Sequence, residues 1–324
     1  MFEWTKLGKV FDPADHPGHR WMRAYAQSPS VIVDEDRVRV FFSSRPEPDA
    51  KGMFVSRLAY LDLDREDPRR ILRLCDDGPL PLGARGTFDE FGTSPVSVIR
   101  DGQDLRVYYA GWTRCESVPI NGAIGVAISR DGGESFQRLG DGPVISCSPD
   151  EPFMMGSPRI RRFGDRWYLW YVSGKRWIPT AARPEPVYKM RSAESPDGLA
   201  WTKHHRDLLP DRLGPDECQA CGDVFPAAGA FHMFYSYREA TNYKSAVGGY
   251  RMGYARSRDL KTWERLDDRV GIAPSAEGWD SEMVNYPHVF ELDGVVYMLY
   301  QGNGMGRTGF GLARLASSDA WGTR

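Results

Sequence analysis

The sequence predicts an all-β fold, a five-bladed β-propeller that occupies residues 1–324 as a single domain. Three observations favour this fold. The chain has 34 glycines, 23 prolines and 12% aromatic residues, a composition typical of many short strands joined by tight turns. A strand–turn–strand pattern recurs five times. Each repeat continues into a third and a fourth strand, which is the make-up of an antiparallel propeller blade.

The repeats are evenly spaced. Each starts with a short strand and continues into a second strand rich in aromatic residues. The positions used to align the first strands are Pro29, Pro95, Pro158, Asp223 and Pro287. The successive intervals are 66, 63, 65 and 64 residues. A constant period of this length indicates one repeat-built architecture rather than two unrelated domains.

The later strands of each unit follow from turn chemistry and from the chain ends. Fourth strands follow corners of the type Ser-x-Asp-Gly, as in 129–136 and 195–201, and Asp-Gly suits a tight hairpin turn. The fifth unit ends after its third strand, 309–315, while residues 2–7 resemble the fourth-strand segment 201–203. We therefore expect the N-terminal strand to complete the last blade and to cover its open edge.

Composition and charge exclude several classes of function. Lysine plus arginine total 42 against 44 acidic residues, so nothing indicates a nucleic-acid partner. No apolar run is long enough for a membrane helix, so no membrane partner is expected. Five cysteines are too few for a disulfide scaffold, and the N-terminus lacks a secretory pattern, so we expect a cytoplasmic location. Cys218 and Cys221 lack a second pair of ligands, so no metal is expected.

Four of the loops that precede the first strands carry acidic residues, at 89–95, 150–158, 216–223 and 280–287. Such loops open onto one face of a propeller, so we expect their carboxylates to converge on one pocket. Crowded carboxylates separate into an acid and a base, as glycosidic bond cleavage requires. The predicted catalytic residues are Glu151 as general acid, Glu217 or Glu282 as base, and Glu90 as modulator of the acid. The neighbouring acidic residues predicted to contact substrate are Asp89, Asp150, Asp216 and Asp280. Alternatively, the acidic pairs cap loops by accepting backbone N–H groups.

Further polar and aromatic residues are candidates for substrate binding. Arg20, Arg45, Arg238 and Gln27 would orient a substrate through an anionic group, or the arginines would neutralise the acidic loops. Trp112 and Trp177 would stack on a sugar ring or pack between blades. Asp223, at an axial position where other units have proline, would position substrate or water. His288 would contact the pocket, an axial ion or water, or be a buried core histidine. Segment 175–189 is predicted to be a lid or a substrate wall.

The whole chain resembles the five-bladed propeller glycosidases, the superfamily of arabinanases, β-xylosidases, invertases and levansucrases, with mannoside phosphorylases as cousins. The blade count, the repeat length, the Ser-x-Asp-Gly-x-x-Trp corners and the closure of the termini carry this resemblance. It looks most like glycosylase-labelled members with Asp-Glu-Phe-Gly-Thr-x-Pro and Trp-Asp-Ser-Glu-Met motifs. The triad of that superfamily, two aspartates and a glutamate on blades one to three, is replaced here around Gln27, Ser94 and Gly156.

These observations predict a carbohydrate-active enzyme, a glycoside hydrolase that uses paired carboxylates at the propeller axis and no redox cofactor. The expected partner is a small carbohydrate or glycoconjugate, neutral or anionic. Two alternatives stay open. One is a glycoside phosphorylase, or an enzyme that acts on a phosphorylated or nucleotide-linked sugar. The other is a carbohydrate-binding propeller without catalysis.

Overall fold

Residues 1–317 and 321 are described in a computed structural model, which contains five four-stranded antiparallel sheets. The strands, in chain order, are β1 (Trp4–Phe11), which belongs to blade 5; β2 (Ala24–Val33), β3 (Arg37–Arg45), β4 (Arg57–Asp64) and β5 (Ile71–Leu74) of blade 1; β6 (Thr93–Asp101), β7 (Asp104–Arg114), β8 (Ile120–Ser129) and β9 (Gln137–Arg138) of blade 2; β10 (Met155–Phe163), β11 (Arg166–Ile178), β12 (Glu185–Ser195) and β13 (Thr202–Lys203) of blade 3; β14 (Glu217–Ala227), β15 (Ala230–Glu239), β16 (Arg251–Ser257) and β17 (Glu264–Arg265) of blade 4; and β18 (Asn285–Leu292), β19 (Val295–Gln301) and β20 (Phe310–Leu315) of blade 5.

Helical structure in the described part of the chain is confined to three short segments and the single residue 321. Two are 3-10 turns, Pro13–Asp15 and Asp267–Arg269, and the third is the four-residue segment Asn303–Gly306. None of the described residues belongs to a helix long and apolar enough to span a membrane. The predicted all-β, five-bladed propeller is therefore confirmed.

The N-terminal strand closes the ring as predicted. β1 pairs antiparallel with β20, with Trp4 opposite Leu315 and Phe11 opposite Phe310, so the last blade has the order β1-β20-β19-β18. Phe2 and Trp4 also contact Phe234 of blade 4, with ring centroids 5.1 and 5.5 Å apart. The chain ends are thus held by a sheet ladder and by buried aromatic packing between two blades, both of which resist opening of the ring.

The first strand of every blade is irregular near its start, and this corrects the sequence alignment of blade 4. In blades 1, 3 and 5 the residue before the axial proline has a positive φ: Ser28, Ser157 and Tyr286, with φ of 52°, 47° and 51°. In blade 4 the corresponding residue with a positive φ is Cys221, with φ of 56°. Cys221 precedes Gly222, so Gly222 is the counterpart of the axial prolines. Asp223 lies one residue beyond, opposite Phe234 in the ladder, as His288 lies opposite Leu299. Its predicted place among the prolines was wrong by one residue.

Side chains of the first strands link neighbouring blades around the axis. In each of four links, a side-chain atom of one blade accepts a backbone N–H of the next. The pairs are Ser30 Oγ with Val98 N (2.9 Å), Ser97 Oγ with Ile160 N (3.1 Å), Asp223 Oδ2 with Val289 N (2.7 Å) and His288 Nε2 with Val31 N (3.0 Å). In blade 3, Arg159 instead donates to the carbonyls of Pro29, Val96 and Pro287. Asp223 and His288 are therefore buried parts of the axis, each 1% exposed.

The hydrogen bond to Val31 determines the protonation of His288. Because Nε2 accepts, the neutral ring carries its proton on Nδ1, which lies 3.4 Å from Oδ1 of Asp223. Burial lowers the pKa of His288 from 6.5 to about 4, although the Asp223 carboxylate acts in the opposite direction. The alternative of a buried, hydrogen-bonded core histidine fits this geometry, whereas a ligand for a substrate does not.

We expect His288 to make the fold sensitive to acid. The pKa of the His288 ring is 6.5 in the unfolded chain and about 4 in the folded chain. The contribution of this group to stability is therefore fully present above pH 6.5 and decreases as the pH falls towards 4. The free energy of unfolding should drop by about 2 kcal/mol between pH 7 and pH 5 from this group alone. Urea denaturation at pH 7 and at pH 5 measures this drop. In His288→Gln, which removes the titrating ring, the free energy of unfolding should fall less between the two pH values. An equal drop in the free energy of unfolding in wild type and His288→Gln would disprove the assignment.

Candidate active site

A cavity of 390 Å³ is lined by residues from all five blades. Four of its residues come from the irregular starts of first strands: Ser28, Ser94, Ser157 and Tyr286. Three of these have positive φ, a conformation that non-glycine residues seldom adopt and that clusters at functional sites. The irregularity that interrupts the ladder also redirects these side chains. The irregular backbone at the starts of the first strands therefore coincides with the cavity.

The hairpin of β11 and β12 forms one wall of the cavity. These strands stay paired beyond the blade, with Trp177 opposite Pro186 and Ile178 opposite Glu185. The extension carries Trp177, Arg183 and Glu185 to the cavity. The segment 175–189 is therefore a paired wall.

Glu185 is the one carboxylate among the described residues that line the cavity. Its oxygens accept hydrogen bonds from Tyr243 Oη, at 3.2 and 3.3 Å, and its Oε1 accepts one from Arg183 Nε at 3.1 Å. Arg183 also donates to Tyr243 Oη at 3.3 Å. Three groups thus hold one another in place. These contacts fix the orientation of the carboxylate within the cavity, where it is placed to exchange a proton with a bound ligand.

The two predicted tryptophans both line the cavity but have different surroundings. The ring of Trp112 packs against the backbone at Gly92, Gly122 and Gly156, where an added Cβ would approach the ring to 2.8, 2.7 and 3.1 Å. Trp112 therefore also fills the space between blades 2 and 3. Trp177 is half-buried on the hairpin wall, and its ring contacts no other described aromatic ring. Trp177 is thus the better placed of the two to contact a ligand.

The structure does not bring the entry-loop carboxylates together. One carboxylate of each loop is buried inside its own blade, beside a tyrosine or a basic residue near the outer strands. The groups are Asp89 with Tyr109 and Arg138; Glu151 with Tyr171, Arg191 and Lys203; Glu217 with Arg265; and Asp280 with Tyr300 and Lys6. None of these four lines the cavity. Blade 1, which has no acidic loop, has Phe42 at the position that corresponds to these tyrosines.

The surroundings of Glu151 and Glu217 differ from those of catalytic carboxyls. Burial alone would raise the pKa of Glu151, but hydrogen bonds from Lys203 and Arg191 lower it below the usual value. Burial is likewise outweighed at Glu217, whose pKa is lowered by the hydrogen bonds from Arg265 and Gln219. A general acid must carry a proton at the working pH, so this geometry disfavours Glu151 as the acid. Both side chains are also fully buried, away from the cavity.

The other acidic residue of each loop, the one that is not buried inside its blade, lies nearer the surface. Glu90 accepts the backbone N–H of Gly86 at 2.9 Å, which is the loop-capping alternative. Asp150 pairs with His205 at 2.5 Å, and Asp216 pairs with Arg176. Glu282 is exposed. None of the four lines the cavity.

Five of the predicted substrate-binding residues do line the cavity: Gln27, Arg45, Trp112, Trp177 and Arg238. They lie on a first strand or near the ends of second strands, which the topology directs to this face. Arg20, in contrast, is exposed and pairs with Asp77 at 3.2 Å. Sequence reasoning missed Glu185, Arg183 and the tyrosines 188, 243 and 250, all of which line the cavity. The unusual length of segment 175–189 was the feature of the sequence that could have identified Glu185 and Arg183.

Among residues 1–317 and 321, no group of three or more His, Cys, Asp or Glu side chains is arranged to hold a metal ion.

Comparison with known proteins gives relatives of two kinds. No family model matches the chain. Two Mycobacterium tuberculosis proteins, Rv1502 and MT1551, both described as uncharacterised, are 35% identical to it over 314 residues, which is 96% of this chain and 99% of each relative.

Solved structures share the fold at low sequence identity. A putative glycoside hydrolase from Parabacteroides distasonis has a TM-score of 0.70 at 13% identity and covers 98% of this chain and 97% of its own. A thermostable family-43 glycoside hydrolase has a TM-score of 0.64 at 16% identity, covering 90% and 88%. A structure from a study of mannoside phosphorylases and glycoside hydrolases that target β-1,2 mannosidic linkages in Candida mannan has a TM-score of 0.67 at 14% identity, covering 97% and 90%.

Proposed function

We propose that this chain, which belongs to the family that includes the Mycobacterium tuberculosis proteins Rv1502 and MT1551, is a carbohydrate-active enzyme that breaks or forms a glycosidic bond in the cavity lined by all five blades. The observation that carries the proposal is Glu185, a carboxylate bonded to Tyr243 and Arg183 within a cavity that also presents Trp177. The propeller fold, shared with glycoside hydrolases, supports the class of chemistry.

The cavity has the size and lining of a small-molecule site. Its volume of 390 Å³ lies in the range of about 300 to 1,000 Å³ that such sites occupy. Its lining contains aromatic and aliphatic side chains together with hydroxyl, amide and guanidinium groups. A sugar has apolar ring faces and polar edges, so this mixture suits it better than a wholly apolar ligand.

Glu185 would transfer one proton in the reaction. As the base it takes the proton of the attacking water or hydroxyl while the bond from that oxygen to the anomeric carbon forms and the bond from the anomeric carbon to the leaving oxygen breaks; the leaving oxygen takes a proton from water. In the reverse direction the same group returns that proton to the departing oxygen, because the forward and reverse reactions share one transition state. Arg183 and Tyr243 hold the carboxylate in position for both steps. This role replaces the predicted pairing of entry-loop carboxylates.

The test is turnover of a panel of oligosaccharides, aryl glycosides and glycosyl phosphates, with products separated by chromatography. We expect the purified chain to convert at least one member, and that activity is the reference for the variants below. A protein that converts no member of a broad panel, although it binds one, would contradict the proposal.

A second candidate function is carbohydrate binding without catalysis. The observation in its favour is that a single carboxylate among the described residues lines the cavity, whereas most glycosidases use two. Calorimetric titration with the same panel distinguishes the two functions, because a binding protein retains a bound oligosaccharide intact after prolonged incubation.

Trp177 provides a prediction about substrate binding. We expect Trp177→Ala to raise KM roughly fivefold and to change kcat little, because a stacked aromatic ring contributes about 1 kcal/mol to contacts with a flat ligand face. Steady-state kinetics on the substrate found in the panel measure both constants. The control is Arg176→Ala, an exposed position outside the cavity on the same strand. An unchanged KM in Trp177→Ala would exclude this stacking role.

A further inference from the structure

Two of the four arginines in the cavity have no acidic partner in the described part of the chain. Arg183 pairs with Glu185 at 3.1 Å, and Arg114 pairs with Asp49 at 2.6 Å. Arg45 and Arg238 line the same cavity, and neither forms an ion pair with a described carboxylate. Buried and half-buried charges are normally paired, so these two guanidinium groups are the unusual feature of the site.

Arg45 is held in place by neutral groups. Its Nη2 donates to Gln27 Oε1 at 2.7 Å, and its Nε donates to Ser56 Oγ at 3.1 Å. The guanidinium also lies over the ring of Tyr25, 4.0 Å from the centroid. Burial, with a contribution from the positive charge of Arg183, lowers the pKa of Arg45. Nη1 has no hydrogen-bond partner among residues 1–317 and 321, so one donor edge is left for a ligand.

Arg238 is 4% exposed and likewise has only neutral partners. Its Nη1 donates to the carbonyls of Glu239 and Ala240, and its Nη2 donates to Tyr188 Oη at 3.0 Å. The guanidinium lies 3.9 Å from the centroid of the Tyr243 ring. Its Nε has no described partner. A cation is thus nine-tenths buried with no negative charge beside it.

Shared neighbours connect the two arginines across the cavity. Tyr286 Oη donates to Tyr250 Oη at 2.9 Å, and the hydroxyls of Tyr250 and Tyr188 are 2.6 Å apart. The Tyr188 hydroxyl in turn accepts the hydrogen bond from Arg238 Nη2. Tyr286 and Arg183 are also electrostatic neighbours of Arg45. The two unpaired cations therefore line one cavity, from blades 1 and 4.

We infer that Arg45 and Arg238 form an oxyanion subsite that binds a phosphoryl group; the inference rests on the proposed function for the sugar that occupies the rest of the cavity. Two unpaired guanidinium groups balance the charge of a phosphate dianion. Their positions on separate blades suit a tetrahedral group, which offers oxygens in several directions, better than a planar carboxylate, which one guanidinium can bind by itself.

The phosphoryl group has two possible sources with the same chemistry. It is either part of a sugar phosphate, or free inorganic phosphate that takes part in glycosidic bond cleavage as the attacking group. In both cases the oxygens of the group accept hydrogen bonds from the same two guanidinium groups. The experiment therefore needs one arm for the subsite and one arm for the source.

The first arm titrates inorganic phosphate into the whole chain by calorimetry at constant ionic strength, with chloride as the reference salt. We expect saturable phosphate binding that weakens roughly tenfold or more in Arg45→Gln, since a charge-assisted hydrogen bond is lost. Arg238→Lys, which keeps the charge, should also weaken binding, and circular dichroism checks its folding. The control Arg176→Gln should bind as wild type does. An absence of binding beyond the chloride reference, or equal binding by folded Arg45→Gln, overturns the inference.

The second arm compares hexose 1-phosphates and hexose 6-phosphates with inorganic phosphate plus the free hexose. Tighter binding of a sugar phosphate supports a phosphorylated substrate, whereas turnover of a neutral glycoside that requires phosphate supports phosphate as co-substrate. Phosphate-independent turnover together with no sugar phosphate binding overturns the subsite. Glu185→Gln should lose turnover yet still bind phosphate, so a failed catalytic role and a failed subsite give different results.

Discussion

Glu185→Gln is expected to lower kcat/KM by about 10²- to 10⁴-fold, the usual contribution of a general acid–base group. Glutamine keeps the size of the side chain, and its amide oxygen can still accept from Tyr243 or Arg183. What it loses is the ability to take up a proton. Because the packing is conserved, KM and the urea midpoint should change little, and the loss should appear in kcat.

Two further variants make that result specific. The exposed control Glu291→Gln should retain wild-type activity, since it lies far along β18 from the cavity. Glu90→Gln tests the predicted role of the entry loops. If Glu90→Gln abolishes turnover while Glu185→Gln does not, the catalytic carboxylate lies in the loops and the cavity assignment is wrong.

Glu151→Gln should destabilise the fold by about 3 to 5 kcal/mol, the cost of leaving a buried ion pair without one partner. Glu151 is fully buried and bonded to Lys203 Nζ at 2.6 Å and to Arg191 Nη1 at 3.0 Å. The neutral amide leaves the Lys203 ammonium without its counter-charge, while Arg191 keeps Asp207 at 2.9 Å. Sequence reasoning expects loss of turnover with folding preserved; the contacts predict a loss of stability.

Urea denaturation of Glu151→Gln decides between these expectations. Glu194→Gln, on β12 and only partly buried, is the matched control and should change the free energy of unfolding by less than about 0.5 kcal/mol. A Glu151→Gln protein that is as stable as wild type but inactive would restore Glu151 to a catalytic role.

The repeated acidic loops show how a correct pattern in the sequence can have a second explanation. Their even spacing correctly indicates equivalent places in successive blades. The same spacing also places Tyr109, Tyr171 and Tyr300 at equivalent positions of second strands, where each hydroxyl donates a hydrogen bond to a carboxylate of its own blade. A one-dimensional pattern does not distinguish a carboxylate that faces the axis from one that faces back into its own sheet.

The cavity residues that sequence reasoning found lie where strand ends meet one face of the propeller. Gln27, Arg45 and Arg238 follow from that rule because a blade directs those positions to the same side. Glu185 and Tyr243 do not follow from it. They belong to a hairpin extension and a long loop, whose path depends on packing against other blades.

The sequence by itself determined the propeller, its five blades and the closure of the ring by the N-terminal strand, because these depend on local strand and turn patterns repeated at a constant period. Only the tertiary structure decided which charged groups are paired inside blades and which are left without partners in the cavity. The reason is physical: the state of a charged side chain depends on its burial and on its nearest partners. Those partners include residues far away along the chain, namely Tyr243 for Glu185, Tyr188 for Arg238, and Tyr286 and Arg183 for Arg45.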